Sequence, residues 1–199
     1  MLHRPAGTVT HGLVFTHGAG GNCNSAVVKA VADEFSAAGF MVLRIDLPFR
    51  QQRRFGPPFP AQGKADREAL RQAVACLRDM GAAQIVLGGH SYGGRQASML
   101  AAEDPSIARL LVLLSYPLHP PQKPQELRTA HFPELRVPAV FVHGTRDPFG
   151  TIAEVEEAIR LIPAKTLLLE APGAAHDLKN ADLRAASEAT RVLLLDQPA

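Results

Sequence analysis

The chain reads as an α/β protein built on a doubly wound, mainly parallel six-stranded sheet with helices on both faces. Three observations predict this. Six short apolar runs alternate with helical patterns almost from end to end. Several of the runs are uniformly apolar rather than alternating, as expected of strands covered by helices on both sides. The two stretches richest in proline each follow an apolar run, which puts them at the carboxyl edge of such a sheet, where open α/β folds bind ligands.

In chain order, the predicted strands are Leu13–Thr16, Met41–Ile45, Gln84–Leu87, Leu110–Leu114, Ala139–Val142 and Thr166–Leu169. Between them, Val27, Val31 and Phe35 repeat at helical spacing, as do Leu70, Val74 and Leu77, each giving one apolar face. Gly39 and Gly81 stand where a left-handed residue would end those two helices. Arg95–Glu103 and Asp182–Leu195 read as helices, and Thr151 with Glu154 forms a capping box opening another that Pro163 closes. The proline-rich segments 48–60 and 116–138 are expected as stiff rim loops.

At 199 residues, folding removes roughly 70% of the chain's surface from water, enough for one solid core, and one domain over residues 1–199 is expected. The composition, 46% hydrophobic and 20% charged, is that of an ordinary globular protein. A net charge of +2 gives no drive toward nucleic acid or membrane surfaces. No apolar run is long enough to span a bilayer, and Met1-Leu2-His3-Arg4-Pro5 leads into only the short apolar run Leu13-Val14-Phe15, so a secretory leader is not expected. A cytoplasmic protein with a small-molecule partner is expected; oligomeric state is left open. Cys23 and Cys76 have no metal-ligand spacing, so neither a disulfide, a metal nor a cofactor is implied.

Gly89-His90-Ser91-Tyr92-Gly93 follows a predicted strand and precedes a helical stretch, the setting of a G-x-S-x-G nucleophile elbow. Composition alone yields about 0.04 such matches by chance, so Ser91 is the expected nucleophile. A serine hydroxyl needs a base and the base an orienting acid, in the chain order Ser, Asp, His on this architecture. Asp147 follows the strand Ala139–Val142, and His176 follows the last strand. Asp46, Asp177 and Asp182 are poorer acids, since none lies on the loop after the penultimate strand. His90 is expected to point away from the site and His143 to pack at its strand end.

His17-Gly18-Ala19-Gly20-Gly21 follows the first strand and opens the first helix, so the amides of Ala19 and Tyr92 are the expected oxyanion donors. A phosphate-binding G-x-G-x-x-G would need glycine where Cys23 stands. Cys23 reads as an inert packing thiol. Arg50, Arg53 and Arg54 on the first rim loop, with Arg95 after the elbow, are candidates to hold a substrate carboxylate. The competing reading is a solvated charge run or internal ion pairs.

Gly88-Gly89-His90-Ser91-Tyr92-Gly93-Gly94-Arg95, Ser115-Tyr116-Pro117-Leu118-His119-Pro120-Pro121 and Val142-His143-Gly144-Thr145-Arg146-Asp147-Pro148-Phe149 together resemble a small hydrolase-like family of the α/β-hydrolase superfamily. That family includes testis-expressed protein 30 and a subunit of the NSL histone acetyltransferase complex. The chain is more loosely similar to dienelactone hydrolase, which has cysteine where Ser91 stands. The chain departs from the usual fold of that superfamily in lacking two of its leading antiparallel strands, and the segment after Leu114 is too short and proline-rich for a cap domain, so a minimal fold is expected; the resemblance adds His119 to the candidate substrate contacts. The expected activity is hydrolysis of a small acyl ester through an acyl-enzyme on Ser91. The alternative is a non-catalytic interaction module that keeps the fold.

Overall fold

The computed structural model describes residues 1–5, 7 and 9–196. Among these residues, seven strands form one sheet in the order β1-β3-β2-β4-β5-β6-β7. They are β1 (Leu2–His3), β2 (His11–Thr16), β3 (Met41–Ile45), β4 (Gln84–His90), β5 (Leu110–Leu114), β6 (Ala139–Gly144) and β7 (Thr166–Ala171). All neighbours pair in parallel except β1, which runs antiparallel to β3 through Leu2 opposite Leu43 and His3 opposite Val42. The six expected strands thus gain a seventh. Two residues are too few to display any hydrophobic period, and the short strand is tied down by the Met1 carbonyl accepting from Arg44 N–H at 2.9 Å.

Among the described residues, six α-helices accompany the strands: α1 (Ala26–Ala37), α2 (Pro48–Gln52), α3 (Gly63–Asp79), α4 (Tyr92–Glu103), α5 (Ile152–Ile159) and α6 (Arg184–Leu195). Successive residues on a strand face opposite ways, which explains the unbroken apolar runs. Leu13 and Phe15 of β2 join a core with Val28, Val31 and Phe35 of α1 and Leu193 of α6, whereas Val14 between them joins Leu70, Val74 and Leu77 of α3. The sheet therefore has α1 and α6 on one face and α3, α4 and α5 on the other. On α1 the buried stripe is Val28, Val31, Ala32 and Phe35 rather than one through Val27. Gly39 and Gly81, at φ +94° and +96°, follow α1 and α3 as left-handed stops. The Thr151 hydroxyl accepts from Glu154 N–H and completes its capping box, although α5 ends at Ile159, before Pro163.

Segment 48–60 differs from the expected loop, because its start winds into α2 with Pro48 in the first turn, where a missing N–H costs nothing. Segment 116–138 carries only the one-turn helix Phe132–Glu134, and no cap domain is present among the described residues. The strand order reverses on either side of β2. The crevice between the loops after β2 and β4 is therefore the topological switch point of this sheet.

Candidate active site

Ser91 sits at φ 51° and ψ −118°, a strained backbone that only a tight strand-to-helix turn imposes. The turn closes because its flanking glycines lack Cβ atoms. A Cβ on Gly89 would lie 2.6 Å from the Gly93 carbonyl carbon, and one on Gly93 2.6 Å from the His17 carbonyl oxygen. The Ser91 N–H donates to Leu114 O at 2.8 Å, anchoring the elbow to the neighbouring strand.

Two further loops meet it. Those after β6 and β7 are laced together by Arg146 N–H donating to Ala174 O at 2.9 Å and Gly173 N–H donating to the Thr145 hydroxyl at 2.8 Å. This brings Asp147 and His176 side by side. His176 Nδ1 lies 2.8 and 3.0 Å from the two Asp147 carboxylate oxygens, and its Nε2 lies 2.8 Å from Ser91 Oγ. A carboxylate only accepts, so the imidazole proton stands on Nδ1 and leaves Nε2 to accept from the serine hydroxyl. The Asp147 side chain is fully buried. Burial alone would raise its carboxyl, but the hydrogen bond and charge of His176, the Phe149 N–H and nearby His143 outweigh that and hold it below the usual carboxylate range. Asp46 instead accepts from Cys23 N–H at 2.6 Å, and Asp177 from Lys179 N–H at 3.2 Å.

His90 does not point away, contrary to expectation. Its Nε2–H donates to His176 O at 2.7 Å, and the two rings lie 5.2 Å apart, while the Phe149 ring lies 4.2 Å from that of His176, tilted by 33°. Burial pushes His90 down to about 4, with the His176 carbonyl opposing and the His176 charge reinforcing. The unfolded chain therefore binds this proton first as pH falls. Stability should be level above about pH 6.5 and decline toward pH 4, by up to about 3 kcal/mol from His90. His131, lowered to about 4 by burial and then by Arg95 and Arg67, adds to the same window. Urea unfolding between pH 4 and 7 checks this: the decline should be shallower in His90→Asn, and an identical slope in both proteins would contradict it. His143 is buried at the end of β6, 2.8 Å from Gly150 O.

The loop after β2 carries Ala19, and Tyr92 opens α4, so the Tyr92 N–H has no partner within its helix. The Tyr92 hydroxyl donates to buried Asp66 at 2.7 Å. Cys23 is buried with its thiol against Asp46, and burial followed by that carboxylate pushes the thiol up, away from reactivity.

The arginine expectation needs correction. Arg50 is 8% exposed, and its guanidinium donates to the carbonyls of Ala19, Gly21, Arg53, Arg54 and Gly56, which uses all of its N–H groups. It is a clamp that ties the rim loop to the Ala19 loop, with no donor left for a substrate. Breaking such a network should cost roughly 2–4 kcal/mol, so Arg50→Gln should melt several degrees lower. A thermal midpoint equal to wild type would contradict the clamp. Arg53 donates to Pro57 O and lies over Phe59, while Arg54 lies over Phe55. His119 is buried beside Pro120 O, 3.7 Å from Glu154.

A cleft of about 1200 Å³ runs over the carboxyl edge of the sheet, and Ala19, Ser91, Tyr92, Arg95 and His176 line it. Among the described residues, Arg50, Arg53, Arg54 and His119 do not. Arg67 and Arg128 do, although nothing in the local sequence marked either: Arg67 lies mid-helix and Arg128 within the second rim loop. No described cluster of His, Cys, Asp and Glu could hold a metal ion, and no described helix is long and apolar enough to cross a membrane.

A family described as an alpha/beta hydrolase domain matches residues 9–197. Among solved structures, dienelactone hydrolase from Anabaena variabilis is similar at TM-score 0.76 and 23% identity, over 100% of this chain and 91% of that one. Est1E from Butyrivibrio proteoclasticus is similar at TM-score 0.76 and 17% identity, over 98% and 92%. An α/β serine hydrolase without a lid from Xanthomonas campestris is similar at TM-score 0.75 and 19% identity, over 99% and 89%.

Proposed function

Given that the chain belongs to the alpha/beta hydrolase domain family, we propose that it is a serine hydrolase that cleaves a small acyl ester. The observation that carries this reading is the unbroken run of hydrogen bonds from Ser91 through His176 to buried Asp147, at the foot of an open cleft. Ser91 Oγ attacks the ester carbonyl as His176 Nε2 takes its proton. Asp147 holds the ring in the required tautomer and stabilises the imidazolium. The tetrahedral oxyanion is met by the amides of Ala19 and Tyr92, with the positive end of α4 behind them. His176 then protonates the departing alcohol, leaving an acyl group on Ser91, and water reverses the sequence with His176 as base.

The whole chain, in this proposal, is one such domain acting in the cytoplasm, with motifs resembling those of the testis-expressed protein 30 family. An interaction module would need the fold but not the linked serine, histidine and aspartate. The reading is tested by mixing the protein with p-nitrophenyl acetate, quenching early and analysing the peptides by mass. One acetyl group on the peptide containing Ser91, absent in Ser91→Ala, is expected. Turnover with acetyl on another residue, or no turnover, would overturn it.

A further inference from the structure

The two walls of the cleft come from opposite faces of the sheet and differ in chemistry. The side of α1 and the segment leading into α6 is mostly apolar, presenting Ala26, Val27, Ala30, Ala181 and Leu183, with Lys179 and Asn180 beside them. The side of α3, α4 and the second rim loop presents Arg67, Arg95 and Arg128. Among the described residues, Asp177 is the one carboxylate lining the cleft, and it lies beside Lys179 on the first wall.

Two of these arginines lack a carboxylate partner, although Arg95 also reaches the Tyr116 hydroxyl. Arg67 is engaged with Glu103 at 3.0 Å and with Gln96. Arg95 and Arg128, among the described residues, have no carboxylate within ion-pair distance. The Arg95 Nε–H is sealed from water without an acceptor, and Arg128 makes only a long contact of 3.3 Å to Pro117 O. This is the reverse of Arg50, whose donors are all spent. Burial and then the neighbouring charge of Arg95 push the Arg128 guanidinium below its usual range, and the same field reaches His131. Two like charges held together at a partly buried wall are a standing electrostatic cost. A bound anion relieves it, and a planar carboxylate matches the guanidinium forks.

We propose that Arg95 and Arg128 form an anion subsite of this cleft, so that the preferred ester carries a carboxylate a few carbons from the scissile carbonyl, with the apolar wall taking the remaining part. The substrate class rests on the serine-hydrolase reading. Arg95 follows Ser91 by four residues, about 6 Å along α4, which sets a short spacing between reacting carbonyl and anion.

The test uses Ser91→Ala protein, which binds esters without turning them over. It is titrated by calorimetry with monoethyl succinate, glutarate and adipate, each against the neutral ethyl ester of the same chain length. At least one half-ester should bind about tenfold more tightly than its neutral counterpart, less so as salt rises. Adding Arg95→Gln or Arg128→Gln should bring that ratio near one; should Arg95→Gln fail to fold, Arg128→Gln on the surface loop carries the same measurement. Preferences below about threefold for all three pairs, or a preference that survives both substitutions, would overturn the subsite. Wild type run in parallel separates the two readings. An arginine-dependent preference in a protein that turns over no ester leaves the subsite standing and removes the hydrolase, whereas turnover with no preference does the opposite.

Discussion

Replacing Ser91 with alanine is expected to lower kcat for a short p-nitrophenyl ester by roughly 10⁴–10⁶-fold. The mutation removes the oxygen that His176 Nε2 faces at 2.8 Å, and among the described residues no other serine lines the cleft except Ser25 at the start of α1. What should remain is rate enhancement from positioning and from the proposed oxyanion donors, the Ala19 and Tyr92 amides, which need no nucleophile. The fold should survive, because alanine is smaller than serine and the elbow is held by Ser91 N–H to Leu114 O and by the flanking glycines. Steady-state kinetics beside a thermal melt checks both halves. A loss below about tenfold in a folded variant would show that the hydrolysis arises elsewhere.

The second large effect is expected at Asp147→Asn, about 10⁴-fold in kcat with substrate binding nearly unchanged. The new amide N–H can face His176 Nδ1, which then becomes the acceptor and moves the ring proton to Nε2. A protonated Nε2 pointing at Ser91 Oγ cannot take the serine proton. The size of the effect follows from burial: with Asp147 closed off from water, no solvent molecule can replace the lost carboxylate. Asp177→Asn, by contrast, removes a carboxylate whose bond is a local one to Lys179 N–H, and should cost less than tenfold. The comparison is made on kcat for one neutral ester. A harmless Asp147→Asn beside an inactive Asp177→Asn would reassign the acid.

The layout of strands was readable in the chain because both faces of this sheet are covered, so each strand is a dense apolar run such as Leu110–Leu114. The elbow was readable because its glycines answer a steric demand that leaves a local mark in sequence. Strand order then placed the loops of Ser91, Asp147 and His176 on one edge. Side-chain destinations left no such mark. Arg50, Arg53 and Arg54 form one short basic run, yet Arg50 turns inward onto backbone carbonyls while its neighbours stay outside the cleft. Arg128, thirty-seven residues past the elbow by numbering, reaches the cleft only through the path of the second rim loop. His90 was misplaced because the apolar run ends at Leu87, whereas β4 continues through two glycines to His90, beyond the reach of any hydrophobic pattern. Strand β1 and helix α2, of two and five residues, are shorter than the windows on which periodicity depends.

The central claim is that Ser91 is an activated nucleophile, and a fluorophosphonate probe reads this without knowledge of the natural ester. At neutral pH the wild-type protein is expected to take up one equivalent of probe, on Ser91, with His176→Ala labelled far more slowly and Ser91→Ala not at all. Wild-type protein that stays unlabelled, or labelling that persists in folded Ser91→Ala, would contradict the account.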